Sequence, residues 1–197
     1  EIYNQEEEYD KVIGTLNRFE EKMGKNEQIS MEKFRIYLQM KDNKNAFNEI
    51  ESLVAEYPMD TRYQVVLGDV YLQNGKKEEA YNLYRKVLDA EPDNAMAMYS
   101  LASYYDATGQ KELYQQQLDT LLLNKKVASD TKLNVMRQFI VQNEQESKDS
   151  TLVINLFNRI LEQEPDDAQL PMLYAQYLLS KGMNKESLPV LRQVLEI

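Results

Sequence analysis

The side chains of this chain that are able to do chemistry are mostly carboxylates, 33 of them against 23 lysines and arginines. Neighbouring pairs such as Glu78 with Glu79 and Asp166 with Asp167, and the lone Asp93, are the groups that a calcium site or a two-carboxylate hydrolase uses. Neither is supported. A calcium loop needs oxygen ligands alternating over about twelve residues around a central glycine, and no stretch supplies them. Two-carboxylate hydrolysis needs a pocket that holds both groups at a set separation. The carboxylates that follow Pro92 and Pro165 read instead as first-turn or capping residues of the next helix. The run Glu6, Glu7, Glu8 reads as acids drawn to the positive end of a helix dipole.

Histidine, cysteine and tryptophan are absent altogether. Thiolate or imidazole zinc sites, Ser-His-Asp and Cys-His nucleophile systems, and disulfides are thereby excluded. No glycine-rich phosphate loop exists either, since Gly75 and Gly109 fall where helical hairpins turn. The sequence implies no catalytic, metal-binding or cofactor-binding residue, and the expectation is a protein that is not an enzyme.

A formal net charge of −10 repels phosphate backbones, so nucleic acid is not an expected partner. No apolar run reaches the roughly 18 residues of a membrane helix, and the opening EIYNQEEEYDK has neither the basic nor the apolar stretch of a signal peptide. Direct membrane insertion is not expected. A chain without cysteine suits a reducing cytosol and a bacterial envelope alike. With no initiator methionine, it reads as a processed envelope or periplasmic segment rather than a cytoplasmic one.

The elements that would position any functional group repeat along the chain. Tyr3, Tyr37, Tyr71, Tyr105 and Phe139 are spaced by 34 residues each. Ala46 to Ala80, Pro58 to Pro92, Gly68 to Ala102 and Gly75 to Gly109 keep the same interval of 34. The beat slips once: Gly109 to Gly182, Ala102 to Ala175, Pro92 to Pro165 and Tyr84 to Phe157 are all 73 apart, two periods plus five residues. The polar stretch QNEQESKDST at 142–151 is the predicted site of that insertion and reads as a solvated loop. Within a period, Val66, Leu67, Val70 and Tyr71 are spaced as on a helix stopped by Gly75. A second helix follows, with Ala80, Leu83, Tyr84, Val87 and Leu88 on one face and Pro92 beyond it. Each period is a predicted helix hairpin, and no sustained alternation supports a sheet.

The unit L-G-x-x-Y, A-x-x-x-[FY], P, carried best by Leu67, Gly68, Tyr71, Ala80, Tyr84, Val87 and Pro92, resembles the tetratricopeptide repeat. The resemblance implies an all-α fold, an α-solenoid of antiparallel hairpins wound as a right-handed superhelix, over residues 1–197 as a single array. Residues 1–26 match a lone helix of a preceding unit, with Val12, Leu16 and Phe19 in phase. Units at 27–60, 61–94, 95–128, 129–167 with the insertion, and 168–197 follow. No unit has the family's opening tryptophan. Gly68, Ala102, Ala175, Ala46 and Ala80 mark predicted close approaches of helices, and Tyr37, Tyr71 and Tyr105 are half-polar fillers between units.

In the family the first helix of each unit lines a groove for a protein or peptide ligand. Transferred position by position, the groove here holds Met31, Arg35, Arg62, Asp69, Met96, Tyr99, Ser103, Arg137, Met172 and Gln176. Val65, Val141, Leu133 and Leu179 fall at groove positions as well. The Lys and Asn constellation with which some members hold a chaperone's terminal carboxylate is missing from these positions. What remains is a mixed, methionine-rich surface suited to an extended or helical peptide with apolar anchors. Arginines 35, 62 and 137 are candidates either to read an acidic partner or to pair with neighbouring carboxylates.

The reading is therefore a non-enzymatic protein- or peptide-binding scaffold. The alternative is a regulatory or sensor segment of a larger multidomain protein whose activity lies elsewhere. A lone leading helix and a final helix carrying Leu188, Val190, Leu191, Val194, Leu195 and Ile197 without a polar cap point to a larger bacterial repeat protein, or to a homodimer through that last helix.

Overall fold

The computed structural model describes residues 2–145, 149–163 and 168–196, and every regular element among them is an α-helix. In chain order these are α1 (Ile2–Met23), α2 (Glu27–Gln39), α3 (Asn43–Glu56), α4 (Thr61–Gln73), α5 (Lys77–Ala90) and α6 (Ala95–Ala107). There follow α7 (Lys111–Leu122), α8 (Ser129–Gln145), α9 (Thr151–Leu161), α10 (Gln169–Ser180) and α11 (Asn184–Glu196). The predicted all-α class is the observed one. The chain forms two compact units, Glu1–Ala90 and Glu91–Ile197.

Local chemistry explains where the helices start and stop. Asn26, Asp42, Asp60 and Asn94 each accept a hydrogen bond from a backbone N–H of the following first turn, at 2.9 to 3.1 Å. At α6 the cap is thus Asn94 and not the carboxylate next to it. Asp93 instead accepts from Lys126 Nζ at 2.6 Å and Asn124 Nδ2 at 2.9 Å, which holds its carboxyl below the usual range. Helix α1 already begins at Ile2, so the acids at 6–8 are not in its first turn. After α4 the chain reverses through Gly75, whose φ of +77° is costly for any residue with a Cβ, and Lys76 N–H bonds back to the Tyr71 carbonyl at 2.9 Å.

In the Glu1–Ala90 unit, Phe34 of α2, Ile50 and Leu53 of α3 and Leu67 of α4 form a continuous buried cluster. Gly68 marks the closest approach: a Cβ there would lie 2.5 Å from Cε1 of Tyr84, whose ring is wholly buried on α5. The Tyr84 hydroxyl donates to Asp69 at 2.8 Å, and burial first, then that carboxylate's charge, pushes the phenol pKa up. Ala46 and Ala80 are also fully buried, as predicted for small residues at helix contacts.

Helix α1 is held differently. It packs on α2, burying Ile13 and half-burying Leu16, while Val12 and Phe19, in phase with the repeat, are exposed. A buried ion triad supplies the rest. Lys33 of α2, 7 % exposed, bonds Glu20 of α1 at 2.9 Å and Glu49 of α3 at 2.7 Å, so one ammonium ties three helices. Burial pulls the Lys33 pKa down, but the two carboxylates outweigh it and hold it above 10.5.

In the Glu91–Ile197 unit, Leu101 and Ala102 of α6 and Leu118, Leu121 and Leu122 of α7 are buried, and Phe157 of α9 stacks on Tyr174 of α10 with ring centroids 4.6 Å apart. The predicted loop at 142–151 is corrected in part. Helix α8 runs on through Gln145 and α9 starts at Thr151. The reason is burial: Asn143, one turn beyond Phe139, is only 2 % exposed, so this polar stretch still has an inward side that a helix presents. Residues 146–148, with Pro165, Asp166, Asp167 and Ile197, lie outside the described residues.

Two outcomes are expected in urea denaturation. Gly68→Ala costs about 1–3 kcal/mol, because the buried Tyr84 ring has to move. Lys33→Met costs about 3 kcal/mol at neutral pH by stranding two largely buried carboxylates. Because the Lys33 pKa is raised, its contribution is complete below pH 10.5 and lost as pH rises through the folded value. The variant lacks that part of the alkaline loss.

Candidate peptide-binding face

The first helices of the three hairpins in the Glu91–Ile197 unit, α6, α8 and α10, are joined edge to edge by side-chain hydrogen bonds. The Tyr99 hydroxyl donates to the side-chain Oε1 of Gln138, and Gln142 Nε2 donates to Asp106 at 2.8 Å, linking α6 to α8. Gln169 Nε2 donates to Asp130 at 3.1 Å and Lys181 Nζ to Glu144 at 2.6 Å, linking α8 to α10 and its end. These pairs lie 36 to 39 residues apart, about one repeat.

Between them the face is apolar and open. Met96 is 42 % exposed, Val141 55 %, Met172 39 % and Leu179 46 %, with Ser103 half-buried and Gln176 exposed on the same helical stripes. Arg137 is also exposed, and among the described residues it has no carboxylate partner. Leu133, assigned to the groove by position, is buried instead. The structure thus brings together Met96, Tyr99, Ser103, Arg137, Met172 and Gln176 on neighbouring stripes of one unit.

In the Glu1–Ala90 unit the predicted positions are occupied differently. Met31 is half-buried against the cluster around Phe34. Arg35 pairs with Glu32 at 3.3 Å, and Arg62 with Asp60 at 2.6 Å and Glu27 at 3.5 Å. The Arg62 guanidinium is the main reason the Asp60 carboxyl is held below its usual range. Asp69 is half-buried and serves the Tyr84 hydroxyl, and Val65 is fully buried. Each of these arginines has a carboxylate within reach on its own helix, at its cap or on a neighbouring helix.

Sequence reasoning passed over Gln138, Gln142 and Lys181. The signal was available: a donor and an acceptor one repeat length apart, plus a few residues, meet when first helices lie side by side. No cluster of three or more metal-ligating side chains occurs among the described residues, and no described helix is long and apolar enough to cross a membrane. At the far end, α11 leaves Leu188 and Leu195 exposed while Val190 is buried.

Stacked helix hairpins with this turn chemistry define a helical-repeat protein of the solenoid class. The Tetratricopeptide repeat family model matches residues 31–86 and 65–113, so this part of the chain carries the pattern of that repeat. Among solved structures, a tetratricopeptide repeat protein from Parabacteroides merdae is similar in fold, with 17% identity, a TM-score of 0.52, and coverage of 99% of this chain and 77% of that one. MamA from Desulfovibrio magneticus RS-1, residues 41 to the end, aligns at 14% identity and a TM-score of 0.46, covering 86% of this chain and 93% of that one. A comparison with curated proteins returns no match.

Asp69→Ala is expected to cost about 1–3 kcal/mol in urea denaturation, since it leaves the buried Tyr84 hydroxyl without its acceptor. Arg137→Ala, which removes no partner, stays within about 0.5 kcal/mol of the parent.

Proposed function

We propose that the α6, α8 and α10 face holds a segment of a protein partner, and that the protein is a non-enzymatic interaction scaffold. One observation carries this. The polar side chains along the face are bonded to one another across the helices, while Met96, Val141, Met172 and Leu179 stay exposed beside them. Leaving apolar side chains in water is unfavourable at about 25 cal/mol per Å2, and a partner that covers them recovers that energy. Thioethers repack at little cost, so Met96 and Met172 suit a peptide with aliphatic or aromatic anchors. Arg137 adds a bidentate donor for one partner carboxylate. Tetratricopeptide-repeat proteins are in general non-enzymatic scaffolds with protein partners, and the open, shallow face is of that kind.

The test is a crosslinking pull-down from the native cell with the intact chain, beside a Tyr99→Ala, Met172→Arg variant whose helicity is unchanged by circular dichroism. Partners retained by the parent and lost by the variant are the expected result. Partners kept by both would move the working surface away from α6, α8 and α10.

A further inference from the structure

A second feature lies in the Glu1–Ala90 unit, where the α2–α3 and α4–α5 hairpins turn, and neither the repeat pattern nor the face above accounts for it. Phe47 of α3 and Tyr71 of α4 face each other with ring centroids 5.5 Å apart and planes inclined at 53°. Lys76, in the turn after α4, holds its ammonium 5.3 Å from the centroid of each ring. The turn itself puts it there: Gly75 takes its left-handed conformation and the Lys76 N–H closes on the Tyr71 carbonyl, so lysine and tyrosine are fixed to one backbone reversal.

A cation over ring faces is stabilised electrostatically, but its N–H groups are not consumed by hydrogen bonds to the rings. Among the described residues neither Lys76 nor Lys44 has an ion pair. The two lysines, the two rings and the amides of Asn43 and Asn74 line an open cleft of about 300 Å3. No carboxylate lines it, in a chain of formal net charge −10. Glu51 and Glu79 act on the Tyr71 phenol from outside, adding to the burial that raises its pKa.

The fold does not require this arrangement. The residue that follows the left-handed position in the other three-residue turns is Lys25, Asp42, Gln110 or Met183; the last three make the same backbone bond to the preceding helix, at 2.8 to 2.9 Å, and Lys25 bonds Ser52 with its ammonium. Only here is it a lysine seated on two rings. The cleft is at the small end of the range for ligand sites, about 300–1,000 Å3, and open, which suits one or two side chains of a macromolecule rather than a cofactor.

We propose that this cleft docks an acidic segment of a protein partner. One partner carboxylate bonds Lys76 and Lys44, and an adjacent aromatic or aliphatic side chain rests on the exposed parts of Phe47 and Tyr71. The rings hold the Lys76 ammonium in place before binding, which lowers the ordering cost of the charge-assisted bond.

The test titrates the isotopically labelled full chain with a blocked peptide of alternating glutamate and phenylalanine, a glutamine-for-glutamate counterpart, and phosphatidylserine vesicles. The expected result is amide chemical-shift changes at 43–47 and 71–76 with the acidic peptide alone. Lys76→Met keeps the aliphatic stem over the rings and removes the charge, and is expected to weaken binding about tenfold, with Lys76→Arg restoring most of it. Equal binding by Lys76→Met and parent would overturn the proposal. So would equal shifts with the neutral peptide, engagement by the vesicles alone, or shifts confined to α6, α8 and α10. Because the Tyr99→Ala, Met172→Arg variant leaves this cleft intact, its retained binding of the acidic peptide separates failure here from failure of the α6, α8 and α10 reading.

Discussion

A hairpin of two short helices cannot cover both of its apolar sides by itself, and the rest of this structure follows from that constraint. Each hairpin must lean on the next, so the helices at every contact have to approach closely. In the Glu1–Ala90 unit the approach is set where Gly68 leaves room for the buried ring of Tyr84, with no space for a single methyl group between them. Alanines 46, 80, 102 and 175, all buried, play the equivalent part at other contacts. Once the hairpins are stacked, parts of the first helices are left uncovered, Met96 and Met172 among them. An exposed apolar face is thus a by-product of how the core is made.

Polar chemistry then settles details that hydrophobic stacking leaves open. On α6, α8 and α10 the hydrogen bonds from Tyr99, Gln142 and Gln169 fix how neighbouring first helices sit beside one another. They also remove those groups from competition for a ligand. At α1, where the apolar contact is thin, the Lys33 ammonium between Glu20 and Glu49 specifies the position of the helix. Such a triad adds little net stability over an apolar contact, but breaking it is costly, so it selects one arrangement. The lysine over Phe47 and Tyr71 is the contrasting case, a charge held by rings and, among the described residues, without a carboxylate.

Most of the fold was legible because it rests on type and spacing within a window shorter than one repeat. The period of 34, the small residues and the glycines that end helices each carry a local physical reason, either close approach or a left-handed backbone. The stretch assigned to the insertion was misread in part. Its polar residues read as loop, yet Gln142 and Asn143 have partners and burial supplied from other helices, and α8 gains a turn. Asp69 was read as facing a ligand for the same reason. Its position in the repeat is a groove position, but the hydroxyl of Tyr84, 15 residues on, takes it. The roles of Arg35 and Arg62 turned on which carboxylates lie within a side chain's reach.

The sequence by itself determined the helices, their pairing as hairpins and the absence of histidine and cysteine chemistry. These depend on periodicity, caps and composition, which act locally or not at all. Tertiary structure alone decided which side chains at repeated positions are exposed. Met96 and Met172 are exposed while Val65 and Leu133, at groove positions too, are buried, because exposure depends on helices that lie a whole repeat away. The Phe47, Tyr71 and Lys76 cleft has the same origin. Its aromatic residues are 24 apart, and only the packing of α3 on α4, with the turn at Gly75, makes them neighbours of one ammonium.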